Sequence, residues 1–247
     1  MITTYTTHLI FKTLLTADVM LLKFGLDEPA EIVFIPGQYL ILFVPQPAGD
    51  PARRLFSIAS SPREKNSFEL LAKIIPGGVA SEFFVKLQPD EKVMFQGPAG
   101  RFFLQDDLNS KIFLATGTGL APIRSILHSF VGVGSSDPNH DTPLPYVLFW
   151  GLPAFKDVYF LEELKNLAQK NPTFSFTICL SREQSLDAIP EADRKYFSLG
   201  RITTPLTSKP WQSGDYYLCG NRDIVESLKT YLTEQGVEKP HLFFEKF

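Results

Sequence analysis

Thr116-Gly117-Thr118-Gly119-Leu120-Ala121-Pro122 joins an apolar run, residues 111–116, to a run that reads as a helix, residues 121–130. An apolar run with no alternation is the pattern of a strand buried on both faces. Gly117 and Gly119 permit a tight turn and bring backbone N–H groups close to a bound anion. Pro122 takes the place of a customary third glycine and suits the start of a helix, where its missing N–H costs nothing. A glycine loop that leaves a strand and opens a helix is the setting in which a pyrophosphate cradle works.

Outward from this loop toward the C-terminus, strands are predicted at 146–150, 174–180, 216–219 and 241–245, with helices at 157–169 and 223–235. Alternating strands and helices with continuously apolar strands imply a parallel, Rossmann-like sheet covered on both faces. Asp106, Asp107 and Asn109 interrupt the pattern, so residues 107–247 form the expected α/β domain. The polar stretch 132–143 reads as a surface loop, and the chain has no internal repeat. Ser181-Arg182-Glu183-Gln184 follows the third strand, and an arginine at a strand's carboxyl end is placed to clasp a 2′-phosphate. Gly200-Arg201-Ile202-Thr203 supplies a second cation.

Toward the N-terminus the pattern changes. Short strands are predicted at 3–13, 19–24, 31–35, 39–44, 54–59, 68–75 and 92–96, with one helix at 79–87. Strands at roughly ten-residue spacing, punctuated by Gly and Pro, imply a closed antiparallel Greek-key barrel over residues 1–106. Within it, Arg53-Arg54-Leu55-Phe56-Ser57-Ile58-Ala59-Ser60-Ser61-Pro62 sets a cation, a ring and a hydroxyl along one strand. Alternation sends Arg54 and Phe56 to one face and Leu55 and Ser57 to the other, where a flat ligand could meet them in order. Gly77-Gly78-Val79-Ala80-Ser81 opens the barrel's helix, and free N–H groups at a helix start favour an anion.

Composition removes several classes. A net charge of −3 with no Lys/Arg block gives no support to nucleic-acid binding. No apolar segment approaches the ~20 residues of a membrane span, and the N-terminus lacks a signal peptide's pattern. Cys179 and Cys219 lie in apolar runs and fall short of the about four thiolates an iron–sulfur cluster needs, so a reducing, cytoplasmic setting is expected. His8, His128, His140 and His241 show no metal-ligand spacing.

Taken together, Arg54-x-Phe56-Ser57, Gly77-Gly78-x-x-Ser81, Gly97-Pro98-x-Gly100-x-Phe102, Gly117-Thr118-Gly119-Leu120-Ala121-Pro122, Ser181-Arg182-Glu183, Cys219-Gly220 and Glu245-x-Phe247 resemble the ferredoxin–NADP reductase family, in the family's order along nearly the whole chain. The resemblance implies that FAD is held by Arg54, Leu55, Phe56 and Ser57 and by the segments Ala72-Lys73-Ile74 and Gly78-Val79-Ala80-Ser81. It implies that NADP(H) is held by Thr116, Gly117, Thr118, Gly119, Pro122, Ser181, Arg182, Arg201, Cys219 and Gly220. Arg194 and Tyr196 could instead act as the Lys-x-Tyr pair of the plant type, which leaves the second cation open. Ser57 would face the flavin N5 with Glu245 near it, Cys219 would lie beside the nicotinamide C4, and Phe247 would cover the flavin face that the nicotinamide must reach. Gly97–Phe102 is read as structural.

The implied activity is hydride transfer from NADPH to FAD and single-electron transfer to ferredoxin or flavodoxin, or the reverse. A flavin reductase or diaphorase is the alternative, and a non-catalytic electron-transfer subunit is a third. No nucleic acid, membrane insertion or metal is expected, and the protein is read as a monomer. Arg53, Arg63, Lys65 and Lys86 are possible contributors to acceptor docking.

Overall fold

The computed structural model describes residues 2–107, 109–130, 145–206 and 214–247. The polar stretch 132–143 lies outside the described residues. The chain divides into two compact units, Met1–Leu104 with Ala121–Ser129, and Gln105–Leu120 with Phe130–Phe247.

The first unit contains β1 (Thr3–Leu14), β2 (Val19–Glu28), β3 (Tyr39–Val44), β4 (Ala52–Ser57), β5 (Ser67–Lys73), α1 (Val79–Lys86) and β6 (Lys92–Ala99). Its strands form one antiparallel sheet in the order β4-β3-β6-β1-β2-β5. The sheet curls until its edges meet through a single bridge, Ile58–Leu70, which closes the expected barrel. Alternation along β3 and β6 buries every second side chain, the pattern of a sheet with one face on a core. Phe24, Phe68 and Phe95 pack ring against ring at centroid distances of 5.0–5.5 Å. Each is fully buried, worth about 1.5–3 kcal/mol apiece by area removed from water. Residues 31–35, expected as a strand, form none: Ile32 and Phe34 alternate into the core, but the backbone has no ladder partner there beyond Ile32 N–H to Lys65 O. Burial sets the alternation of Ile32 and Phe34, whereas a strand also needs a ladder of backbone hydrogen bonds.

From β7 (Ser110–Thr116) the chain passes through a 3₁₀ turn, Gly117–Gly119, into α2 (Leu120–Phe130). There follow β8 (Tyr146–Leu152), α3 (Leu161–Lys170), β9 (Phe174–Leu180), β10 (Phe197–Leu199), α4 (Thr203–Leu206), β11 (Gly214–Gly220), α5 (Arg222–Glu234) and β12 (Leu242–Lys246). All six strands are parallel, in the order β10-β9-β8-β7-β11-β12. The order reverses between β7 and β11, so their carboxyl ends flank the crevice in which such sheets take ligands. Residues 121–129 of α2 group with the first unit, and Arg124, only 8% exposed, donates there to Ala59 O (2.9 Å) and Glu69 Oε2 (2.7 Å).

The helix expected at 157–169 starts later. A 3₁₀ turn, Phe155–Asp157, precedes it, and the Asp157 carboxylate accepts the Ala154 N–H at 3.1 Å. Phe160 then takes a left-handed φ of 57° and the helix proper begins at Leu161. A short acidic side chain bonding to nearby backbone competes with helix, which the apolar spacing cannot reveal. Neither β10 nor α4 was expected; three and four residues are too few to carry a period.

The polar residues that interrupt the pattern before β7 turn inward. Lys111 is 2% exposed, and its Nζ binds the carboxylates of Asp215 (2.7 Å, 1% exposed) and Asp107. Asn109 Nδ2 donates to Asp215 Oδ1 at 3.2 Å, and His241 Nδ1 lies 2.8 Å from the same oxygen. Burial works to raise the Asp107 carboxyl, but the Lys111 ammonium and the Asn109 backbone N–H outweigh it and hold the group below the usual carboxylate range. The network ties the starts of β7, β11 and β12 together at the amino edge of the sheet, opposite the ligand edge.

Candidate functional site

In the first unit, β4 is an edge strand paired only with β3. Arg54 and Leu55 are exposed, Phe56 is half-buried and Ser57 is buried. The Phe56 ring meets Phe84 of α1 edge-on at 5.1 Å, so it leans on the barrel core. Arg54 Nη1 donates to its neighbour's carbonyl, Arg53 O, at 2.8 Å. After β5 the chain turns into α1, and here Ser81 has a local task. Its Oγ accepts the Ile75 N–H at 2.9 Å and lies 3.4 Å from Lys73 O, stapling the turn that Gly77 and Gly78 make. Ala72 is buried in the core with Ile74 packed against it, and exposed Lys73 reaches Asp18 at 3.4 Å. A side-chain carbon at Gly77 would meet nothing within 4 Å. Val79 and Ala80 stand at the helix start, where N–H groups have no carbonyl behind them. What this turn presents is therefore backbone, in an open setting that fits an anion.

The second unit gathers its motif residues on the carboxyl edge of the sheet. Gly119 packs so closely on β11 that a Cβ would stand 2.1 Å from Cys219 O. Gly117 has a φ of +52°, in the left-handed region that suits glycine, and open space beyond its Cα. Its carbonyl oxygen points inward and accepts Trp150 Nε1–H (3.0 Å), Tyr159 O–H (2.9 Å) and the Leu120 N–H. The N–H groups of Thr118 and Gly119 stand in the first helical turn, where no carbonyl lies behind them. Thr116 is half-buried at the end of β7, and Pro122 lies in the first turn of α2, where a missing N–H is harmless. The open outer face and free N–H groups fit a pyrophosphate.

Beside the loop, Cys219 and Glu245 are register partners on β11 and β12. Burial pushes the Cys219 thiol far up, and the nearby Glu245 carboxylate adds to the shift, so the sulfur stays protonated and apolar. Phe247 donates its backbone N–H to Gly220 O at 3.2 Å, and the residue is 53% exposed. At the end of β9, Ser181 and Glu183 pin the facing loop: Ser181 Oγ to Leu152 O (3.3 Å) and Glu183 Oε1 from the Phe155 N–H (2.9 Å). Arg182 and Arg201 are exposed, and neither guanidinium has a partner among the described residues. Arg194 is engaged instead, donating to Ile189 O (3.1 Å) and Asp187 O (3.3 Å), and Tyr196 stacks flat on Phe176 at 4.8 Å.

The site thus has two ends. Thr116–Gly119, Cys219, Gly220, Glu245 and Phe247 lie together at β7, β11 and β12, whereas Arg182 and Arg201 follow β9 and β10. From β9 to β11 is three strand spacings, roughly 14 Å, a span suited to the two halves of a dinucleotide. Trp150, Tyr159 and Arg124 were not anticipated; their polar contacts join residues at least 33 apart in sequence, and nothing local marks them. Among the described residues no group of three His, Cys, Asp or Glu could hold a metal, and no helix is long and apolar enough to cross a membrane.

Comparison with known proteins matches residues 6–104 to the oxidoreductase FAD-binding domain family and residues 113–230 to the oxidoreductase NAD-binding domain family. Among sequences, the toluate 1,2-dioxygenase electron transfer component of Pseudomonas putida is 30% identical over 88% of this chain and 60% of its own length. The reductase component of propane 2-monooxygenase from Gordonia sp. (strain TY-5) is 27% identical over 94% of this chain and 64% of its own. The chain therefore spans about three fifths of the length of these relatives. Among solved structures, the Amycolatopsis cytochrome P450 reductase GcoB superposes with a TM-score of 0.84 and 26% identity, covering all of this chain and 70% of that one. A ferredoxin NADP+ reductase from Neisseria gonorrhoeae with bound FAD and NADP shares the fold, with a TM-score of 0.78, 18% identity and 98% of both chains covered.

Proposed function

The chain belongs to the ferredoxin-reductase-type family of FAD- and NAD-binding oxidoreductases, and from that premise we propose that it transfers hydride from NADPH to FAD and passes the electrons singly to a separate redox protein. The observation that carries this reading is the two-ended carboxyl edge: an open glycine loop beside Cys219, Gly220 and Phe247, with Arg182 and Arg201, which have no guanidinium partner among the described residues, three and four strand spacings from β11. FAD, when bound, takes a hydride and gives up electrons one at a time, which a nicotinamide alone cannot do.

The chain's residues supply position and charge. Arg54 and the backbone at Gly78, Val79 and Ala80 would hold the FAD phosphates, with Leu55, Phe56 and Ser57 along the flavin; Ser81, Ala72, Lys73 and Ile74 shape the turn that presents that backbone. Thr116, Gly117, Thr118, Gly119 and Pro122 would cradle the nicotinamide dinucleotide's pyrophosphate. Arg182 and Arg201, with Ser181 fixing the loop, would clasp a 2′-phosphate, the fork geometry of guanidinium suiting phosphate. Cys219 and Gly220 would leave a flat, apolar seat for the nicotinamide, Ser57 and Glu245 would manage proton movement, and Phe247 would act as a gate. The division into a flavin domain at 1–106 and a nicotinamide domain at 107–247 follows this assignment.

The relatives' names point to the acceptor's class. They are electron transfer and reductase components of oxygenases and a cytochrome P450 reductase, so the proposed partner is a ferredoxin-type or other one-electron acceptor serving an oxygenase, with flavodoxin the alternative. Basic side chains at Arg53, Arg63, Lys65 and Lys86 are the proposed contributors to docking, and the protein is proposed to act as a cytoplasmic monomer.

Anaerobic stopped-flow mixing of the purified, desalted protein with NADPH and then NADH tests the reading. Yellow protein whose flavin bleaches with NADPH well before NADH is the expected result. Colourless protein that reduces only added flavin would make it a flavin reductase instead. Arg182→Ala with Arg201→Ala is expected to raise the KM for NADPH by about 10–100-fold, the worth of lost charge-assisted contacts, and to leave NADH unchanged. Equal losses for both cofactors would remove the 2′-phosphate assignment. Phe247→Ser is expected to tighten NADP+ binding about tenfold by vacating the nicotinamide's seat, read by calorimetry; an unchanged Kd sinks the gate.

A further inference from the structure

We propose that Trp150 and Tyr159 are positioning residues for the dinucleotide loop, together holding the Gly117 peptide with its carbonyl inward so that the Thr118 N–H faces the pyrophosphate. The inference rests on the reading of residues 116–122 as that cradle. It starts from a convergence: the indole Nε1 of Trp150, on β8, and the phenol of Tyr159, just before α3, both donate to one oxygen, that of Gly117. Both side chains are buried, and their rings meet edge to face at 4.7 Å. Packing alone would be served by two phenylalanines; two buried polar tips aimed at a single loop carbonyl need another reason.

The planarity of the peptide bond supplies it. In a trans peptide the C=O of one residue and the N–H of the next point in opposite directions. With the Gly117 oxygen drawn inward by two side chains, the Thr118 N–H is turned outward, toward the open space that lies beyond Gly117. A glycine peptide reorients at little cost, so a loop rich in glycine does not by itself fix which of its dipoles faces the ligand. Three donors on one carbonyl, counting the Leu120 N–H, do fix it. A flipped peptide would set a carbonyl oxygen against the phosphate and repel it, and would break the two side-chain hydrogen bonds to the Gly117 oxygen.

Calorimetric titration of the FAD-loaded protein with NADP+ and with 2′-AMP, which has the 2′-phosphate but no 5′-phosphate, tests this. Tyr159→Phe is expected to raise the NADP+ Kd about fivefold, with a similar rise for Trp150→Phe and about 30-fold for the pair, each step one neutral hydrogen bond. The 2′-AMP Kd is expected to stay within about twofold, and the flavin spectrum unchanged. If Trp150→Phe does not fold, Tyr159→Phe carries the test alone. An unchanged NADP+ Kd in Tyr159→Phe, or equal weakening of NADP+ and 2′-AMP, overturns the inference while the cradle reading stands. A wild-type protein that binds NADP+ no better than 2′-AMP, and NAD+ no better than adenosine, overturns the cradle reading and the inference with it.

Discussion

Gly119→Ala is expected to abolish nicotinamide-dinucleotide binding while the flavin stays bound. The new Cβ would stand 2.1 Å from the Cys219 carbonyl oxygen, 2.5 Å from its carbon and 2.9 Å from the Gly220 nitrogen. All three are backbone atoms of a central strand, so no side chain can rotate out of the way. The loop must move instead, by an ångström or more, and displacement on that scale costs about 100-fold in a positioned site. Overpacking of this kind also costs about 1–3 kcal/mol of stability. The expected outcome is an NADP+ Kd raised by about two orders of magnitude or more, with the visible flavin spectrum of the wild type. An NADP+ affinity equal to that of the wild type would show that the loop at 116–119 does not carry the dinucleotide.

Asp215→Asn is expected to produce the largest loss of stability of any isosteric change in the chain. Asp215 and Lys111 are 1% and 2% exposed, and Asp215 also meets Asn109 and His241. Asp215→Asn takes away the buried carboxylate and leaves Lys111 only the more exposed Asp107 as counter-charge, and breaking a buried pair in this way costs about 3–5 kcal/mol. That corresponds to a fall of roughly 10 °C in melting temperature for a unit of this size, measured by calorimetry. The double change Lys111→Met with Asp215→Leu removes both charges and is expected to recover much of the loss; if it is no better than the single variant, the pair is not a compensated unit. Asp107 adds a pH dependence. Its folded pKa is depressed, so its contribution is present above the ordinary carboxylate value near ~4 and is lost as the pH falls through the folded value. Acid unfolding below about pH 4 should therefore be shallower in Asp107→Asn.

Those two sites differ in how far they could be read in advance. The loop at 116–122 was legible because its glycines, its preceding apolar run and its following helix are adjacent in the chain. Lys111, by contrast, looked like the first residue of an apolar strand, and Asp107 and Asn109 like punctuation between domains. Their meaning lies in Asp215, which is 104 residues away from Lys111. Ser81 shows the same limit on a smaller scale: its place in Gly77-Gly78-x-x-Ser81 was clear, but its hydroxyl serves the turn through Ile75 and Lys73. The strand expected at 31–35 and the early helix start at 157 failed for related reasons, since a ladder partner and a carboxylate cap are not properties of apolar spacing.

By itself the sequence determined the two architectures, the barrel and the parallel sheet, and the positions of the two glycine turns that open helices. Apolar period, glycine placement and strand–helix alternation are local, and each constrains the backbone within a few residues. Only the tertiary structure decided which edge of the sheet gathers Gly119, Cys219, Glu245 and Phe247, which arginines are engaged by backbone carbonyls, and which side chains hold the Gly117 carbonyl. Hydrogen bonds between distant segments are set by how the chain crosses itself, and a crossing leaves no mark on the residues beside it.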